Sequence, residues 1–240
     1  MHHYNYLLVL LSYTVAALGS FTALRLIGGL ARARVGRERT LTIVTASVVM
    51  GLGGIWAMHF IAMLACHMPG PVTYDVPLTA ASAAVAVLAC LVGLTLASRE
   101  HHSAMTLVTS GSYMGIGVAA MHYMGMYAMR LPAAVGYNGG IAALSVVVAI
   151  VASIAALWIA FERRGPVQTA VGALVMGLAV CGMHYTGMAA ADFEPNDLPV
   201  RAGGLGGEYL GLVVFAAVAT LLLVVLVRVI SRQRRFAFDG

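Results

Sequence analysis

The sequence contains no lysine and has few charged residues and few cysteines. All 14 basic residues are arginine, and charged residues make up 10% of the 240 residues, against 61% hydrophobic ones. A soluble domain of this size needs a far more polar surface, so the composition excludes a soluble globular protein. The cysteines Cys66, Cys90 and Cys181 follow no metal-ligand or disulfide spacing, so they indicate neither kind of site.

Stretches that are long and apolar enough to cross a bilayer occur seven times along the chain. About 20 apolar residues span the hydrocarbon layer, and such continuous spans are helices because each backbone polar group must be bonded within its own segment. We predict an all-α membrane protein with seven transmembrane helices, the first of them retained rather than removed as a signal peptide. The predicted spans are residues 4–30, 40–65, 77–97, 104–129, 140–161, 167–191 and 209–230.

The arginines predict the orientation of these helices in the membrane. When the seven helices are threaded in order, all arginines except Arg130 and Arg201 fall on one side. The positive-inside rule then places the N-terminus outside and the C-terminus, with a basic tail over 231–240, in the cytoplasm. The net charge of +5 is therefore attributed to arginines that flank the helices and fix their orientation. No direct nucleic-acid partner is predicted.

A short motif containing histidine and methionine recurs with a period of about 62 residues. Its histidines, His59, His122 and His184, each lie 20 residues after a polar position on the predicted cytoplasmic side. Twenty helical residues span about 30 Å, so all three histidines are expected at one level near the outer face. A fixed period indicates one repeated unit. We predict three parallel helix hairpins with the motif on the second helix, over 4–65, 77–129 and 140–191, followed by the seventh helix at about 209–230.

The residue types in the motif favour copper. Imidazole binds several transition metals, whereas the soft thioether of methionine discriminates in favour of copper, so zinc is less favoured. A single buried histidine is often only packed or hydrogen-bonded, but three copies at one depth favour a metal site. The predicted ligands are the three histidines with Met63, Met126 and Met188 one turn later on the same face, and Met58, Met121 and Met183 on a neighbouring face. Tyr123, Tyr185 and Phe60 are predicted around the site, with interfacial anchoring as the alternative.

With these motifs the sequence resembles the MHYT domain family. The third copy reads Met183-His184-Tyr185-Thr186, the second reads Met-His-Tyr-Met, and the first reads Met-His-Phe-Ile, which lacks the tyrosine. The resemblance covers nearly all of 4–230 and implies that 1–230 is a sensor domain of the bacterial inner membrane. It implies copper binding through Met, His and Tyr residues, and sensing of a diatomic gas such as O2, CO or NO. It also implies a cytoplasmic output domain or partner: a cyclic di-GMP enzyme, a kinase or a transcription regulator.

Three classes of function fit a buried metal site in a membrane protein: a sensor, a copper or proton transporter or channel, and a metalloenzyme. Transporters usually carry charged groups through the membrane interior, whereas every Asp, Glu and Arg here lies at or near the end of a predicted span. No carboxylate is aligned with all three motifs to act as a base, so we predict no catalytic residues and no enzyme. A sensor is favoured, and the oligomeric state stays open, a homodimer included.

Overall fold

Six long helices form the body of the molecule. The computed structural model describes residues 4–30, 36–98, 103–162, 165–196 and 204–227, the last range with gaps at 208, 213, 217, 222, 224 and 226. All six helices are long and apolar enough to cross a membrane, which confirms a helical multi-pass membrane protein. They are α1 (Tyr6–Ile27), α2 (Arg37–Ala65), α3 (Val76–Ala97), α4 (Ala104–Tyr127), α5 (Gly139–Glu162) and α6 (Pro166–Ala190).

The C-terminal part of the chain forms a shorter apolar helix, α7 (Tyr209–Leu221). It packs beside the end of α2, where a Cβ added to Gly211 would overlap the side chain of Leu64. The predicted seventh span reached residue 230. Residues 228–230, the basic tail over 231–240 and most of the arginines used to predict the orientation lie outside the described residues.

Short strands, which the sequence analysis did not predict, connect the helices at one end of the bundle, here called the strand end. Strand β1 pairs antiparallel with β2 and β5, and β3 pairs antiparallel with β4. At two to five residues they are too short for a readable alternation of polar and apolar positions. The strands are β1 (Thr73–Tyr74), β2 (Met129–Arg130), β3 (Ala133–Tyr137), β4 (Ala191–Pro195) and β5 (Leu205–Gly206).

The six helices close into a ring. Helix α1 packs against α2 and α6, α3 against α2 and α4, and α5 against α4 and α6, while α2, α4 and α6 also touch one another. Glycines allow this close approach, since a Cβ on each would lie 3.0 Å or less from a neighbouring backbone. The contacts are Gly51 on Val87, Gly115 on Ile150 and Gly177 on Ala17.

The beginnings of α1, α3 and α5 are equivalent positions in this ring. Asn5, Asp75 and Asn138 cap these helices, because each side chain accepts hydrogen bonds from N–H groups of the first turn. Their own backbone N–H groups donate at 2.8 Å to the carbonyls of Ala65, Ala128 and Ala190. The start of each outer helix is thereby tied to the end of α2, α4 or α6, which sets the relative height of the two helices.

Helix α2 contains a π-helical segment, Val49–Trp56. It takes up one extra residue that lies between a Met-Gly pair and the histidine in the first repeat. Such a pair precedes the histidine in all three repeats, but Met50 comes nine residues before His59, whereas Met114 and Met176 come eight residues before theirs. A π-helical turn takes up one extra residue. Met50 consequently lies level with the other two methionines, and all three line the same cavities.

Candidate metal centre

The three motif histidines meet inside the bundle, one each from α2, α4 and α6. All three are completely buried. The Nδ1 atom of His59 lies 3.1 Å from Nδ1 of His184 and 3.2 Å from Nδ1 of His122. Each pair of rings is arranged edge to face with centroids 5.0 Å apart. The helix packing thus brings together three residues that are more than 60 positions apart in sequence.

This arrangement of nitrogen atoms fits a metal ion. Nitrogen ligands about 2.0 Å from one tetrahedral ion lie roughly 3.3 Å from each other, close to the separations between these Nδ1 atoms. A neutral imidazole carries one N–H, so a single proton between two Nδ1 atoms leaves the third lone pair without a donor. A cation bound at the centre would accept all three lone pairs at once.

The Nε2 atoms face away from this centre and are tightly enclosed. Within the described part of the chain, none of the three has a hydrogen-bond partner. A Cβ added to Gly125 would lie 2.4 Å from Nε2 of His59, and one added to Gly187 would lie 2.4 Å from Nε2 of His122. Ala62 is the equivalent residue of the first repeat, three positions after its histidine. The glycines leave room for the imidazole rings of the preceding repeat.

The methionines of the motifs are all buried, in two different places. Met63, Met126 and Met188 follow their histidines by one helical turn toward the strand end and are at most 2% exposed. Met58, Met121 and Met183 precede the histidines, and Met183 lines a cavity on the side away from the strand end. Because each member of the first set lies four residues after its histidine on the same helix, it shares a helix face with the imidazole. Its role as a metal ligand stays a prediction.

The aromatic residues after the histidines pack beside the triad, and the two tyrosines among them are hydrogen-bonded to a neighbouring helix. Their rings pack edge to face against the preceding imidazole, with centroids 4.9 to 5.0 Å apart. The hydroxyl of Tyr185 lies 3.2 Å from Oγ of Ser12, and that of Tyr123 lies 2.7 Å from Oγ of Ser145. Because each serine Oγ donates to the carbonyl three residues earlier, the tyrosine hydroxyl is the donor. Tyr123 and Tyr185 thus position the motif helices.

The first repeat reaches the same result with a different residue. Phe60 has no hydroxyl, but Trp56, one turn earlier, donates from Nε1 to Oγ of Ser82 at 3.0 Å. The Ser82 Oγ in turn donates to the carbonyl of Thr79. Each motif helix therefore has one aromatic donor bonded to a fully buried serine on the first helix of the next hairpin, with the third hairpin bonded back to the first.

Two sets of residues were not predicted from the sequence, one that supports the triad and one that lies beside it. One is the buried serines, and a signal was present, since each lies seven residues after a capping Asn or Asp. The other is the methionines of the Met-Gly pairs, whose signal is the repeated dipeptide before each motif. The missed residues are Ser12, Ser82 and Ser145, and Met50, Met114 and Met176.

Side chains at the strand end cover the site. The ring of Tyr4 packs against Tyr185 with centroids 5.5 Å apart, and Tyr74 packs against Phe60 at 5.3 Å. Tyr74 is 3% exposed, and this burial raises the pKa of its hydroxyl strongly. Burial also raises the pKa of the Cys66 thiol, which is hydrogen-bonded with Tyr4. This cover keeps water away from the imidazoles.

Comparison with known protein families identifies a repeat that coincides with the three motifs. The MHYT family, described as a bacterial signalling protein N terminal repeat, matches residues 53–110, 115–173 and 177–238. The first two matched ranges pair a motif helix with the helix that follows it, whereas the predicted hairpins pair it with the helix before it. In a closed ring, both of these helices are its neighbours.

Two of the similar proteins are cyclic di-GMP enzymes by name, and a third is a signaling protein. The chain is 40% identical over 233 residues to the bifunctional diguanylate cyclase/cyclic di-GMP phosphodiesterase MucR of Pseudomonas aeruginosa, an alignment that covers 95% of the chain and 34% of MucR. It is 34% identical to the cyclic di-GMP phosphodiesterase NbdA of the same species, over 90% of the chain and 29% of NbdA. It is also 34% identical to the signaling protein YkoW of Bacillus subtilis, over 82% of the chain and 25% of YkoW. The chain spans about a third or less of the length of these relatives. No solved structure matches it.

Proposed function

Because this chain belongs to the MHYT family of bacterial signalling proteins, we propose that it is a copper-binding sensor that signals across the membrane. It is a multi-pass membrane protein homologous to regions of cyclic di-GMP signalling proteins. The proposal depends above all on one observation, the convergence of three buried Nδ1 atoms. Three buried ionisable groups at one point in an apolar bundle are costly unless they bind something.

The residues proposed to hold copper are His59, His122 and His184 through Nδ1. The thioethers of Met63, Met126 and Met188, one turn toward the strand end, favour copper over zinc. When bound, copper would supply a soft centre able to take up a diatomic ligand such as O2, CO or NO. The imidazoles and the aromatic cover would exclude water from this centre. The proposed role is sensing, without an enzymatic reaction in this chain.

We place the strand end, and with it the histidine triad, toward the outside of the inner membrane. This orientation is supported by the distribution of arginines in the sequence, with the N-terminus outside and the C-terminus in the cytoplasm after a seventh crossing. Arg39, at the other end of the bundle, donates to the carbonyl of Ser98. That contact fits a helix end anchored at the cytoplasmic surface.

The signal is proposed to pass through the bonds between motif helices and buried serines. A rotation of one motif helix would act on the next hairpin through its aromatic donor, and from there around the ring. The proposed recipient is a cyclic di-GMP enzyme, because MucR and NbdA carry that activity in their names. A kinase or a transcription regulator would be reached in the same way, and a homodimer would bring two recipients together.

Metal analysis of the purified chain tests this proposal. The protein is purified in detergent under reducing conditions, loaded with Cu(I), and its metals are measured by mass spectrometry beside a variant with all three histidines changed to alanine. We expect about one copper per chain, lost in the variant. A His67→Ala variant is the matched control, since His67 is exposed and should not affect loading. Copper that cannot be loaded, that persists in the triple variant, or that is displaced by equimolar zinc would contradict the assignment.

A further inference from the structure

Two small cavities lie inside the bundle on the side of the histidine triad away from the strand end. Each has a volume of about 20 Å³. Met50, Met114 and Met176 line both cavities and so lie between them. The first cavity also reaches Met183, which directly precedes His184. The second extends toward Leu24, away from the triad.

The lining of the cavities is apolar. Among the described residues around the first cavity, Ser153 alone carries a hydroxyl, and those around the second are alanine, methionine, leucine and isoleucine. A volume of roughly 10 to 15 Å³ is enough for one water molecule, but a buried water needs two to four polar partners. The cavities therefore have room for a molecule of water size but not the hydrogen-bond partners to retain water.

We propose that these cavities bind a small uncharged apolar molecule of about the size of dioxygen, at a site separate from the histidine triad, and that the thioether side chains move to admit a larger probe such as xenon. Three observations support this. The lining lacks the polar groups that would hold water. It includes flexible thioether side chains that can adapt to a bound molecule, and the equivalent methionine of each repeat lines both cavities. The π-helical segment supports the same conclusion, because it brings Met50 level with its counterparts despite the extra residue.

The binding site does not require copper, so it can be tested independently of the proposed function. The full chain is prepared with ¹³C-labelled methionine methyl groups, and methyl spectra are recorded under increasing xenon pressure. We expect saturable shifts at Met50, Met114, Met176 and Met183. Met105, which is 73% exposed, reports xenon dissolved in detergent or lipid and should shift linearly. Single Met→Leu variants assign the 14 methyl resonances.

Two alanines of α5 provide a matched pair of variants. Ala152 lines the first cavity only, so Ala152→Leu fills that cavity and should abolish the saturable shift of Met183, the methionine that lines the first cavity and not the second. Ala143 lies on the exposed side of the same helix, and Ala143→Leu should leave that shift unchanged. Linear shifts at every methionine of the wild-type chain would overturn the proposal. The triple histidine variant, which should lose copper but keep the saturable shifts, separates a failure of this site from a failure of the copper site.

Discussion

Trp56 Nε1 donates to Ser82 Oγ at 3.0 Å, at the place where the other two repeats use a tyrosine hydroxyl. The motif of the first repeat has Phe60 in place of a tyrosine, and yet its helix is still hydrogen-bonded to the next hairpin. The donor comes from one turn earlier, where α2 leaves its π-helical segment. The three repeats therefore share this hydrogen bond even though they do not share the residue that donates it.

Replacing Ser82 with alanine should destabilise the protein. The indole N–H of the half-buried Trp56 would lose its acceptor on the fully buried Ser82, which costs about 1 kcal/mol, the low end of the range for an unpaired donor. The effect is measured as the loss in free energy of unfolding in detergent. In a Trp56→Phe background, the same serine substitution should cost much less because no donor is left unpaired. Equal costs in the two backgrounds would show that the bond contributes nothing.

Adding one methyl group beside an imidazole should impair metal binding. Gly125→Ala places a Cβ 2.4 Å from Nε2 of His59, so the ring must move. We expect copper affinity to fall by roughly 10- to 100-fold, the range typical of residues that orient metal ligands. Gly187→Ala should act in the same way on His122. Ala62→Gly, the reverse change in the first repeat, is the control and should retain copper; a loss as large as in the glycine variants would refute the steric explanation.

Deleting one glycine should be tolerated in α2 but not in α4. Removal of Gly54 leaves the spacing between Met50 and His59 equal to that in the other repeats, and the π-helical segment should become ordinary α-helix. Removal of Gly117 from α4 instead turns Met114 by about 100° relative to His122. The amount of copper bound per chain should be unchanged by the Gly54 deletion and should fall to near zero on the Gly117 deletion. If both deletions abolish binding, the π-helical segment itself is required.

Acid should destabilise the strand end through Asp75. The N–H of Leu78 and the guanidinium of Arg130 hold the pKa of this carboxyl below its ordinary value. Its contribution to stability is therefore fully present above the unfolded-state pKa of about 3.9 and is lost as the pH falls through the lower folded-state pKa.

The matched variant is Asp75→Asn, since asparagine caps the equivalent helices at Asn5 and Asn138. Wild-type protein should melt at a higher temperature than the variant at neutral pH, and the difference should shrink as the solution is acidified below about pH 4. The measurement is the melting temperature of both proteins over this range. A difference that does not depend on pH would exclude the ion pair as its cause.

The sequence by itself determined the membrane class, six of the helices to within a few residues, and the family, which the comparison confirmed. These properties depend on local features: the length of an apolar run, the charges that flank it, and a motif repeated at a fixed period. The common level of the histidines also follows from counting residues along a helix, and their meeting in the structure agrees with that prediction. The ligand set and the orientation in the membrane stay predictions.

The tertiary structure decided which atoms converge and what supports them. The helices are apolar on nearly all sides, so hydrophobic periodicity does not indicate how each one is rotated, and the choice of Nδ1 over Nε2 depends on that rotation. Tyr185 meets Ser12 because the ring closes between α6 and α1, a contact between segments far apart in sequence. The alignment of Met50 with Met114 and Met176 depends on a π-helical segment, which packs closely against Gly19 and Val87 of the neighbouring helices. Packing between distant segments, and not local sequence, therefore determines the geometry of the site.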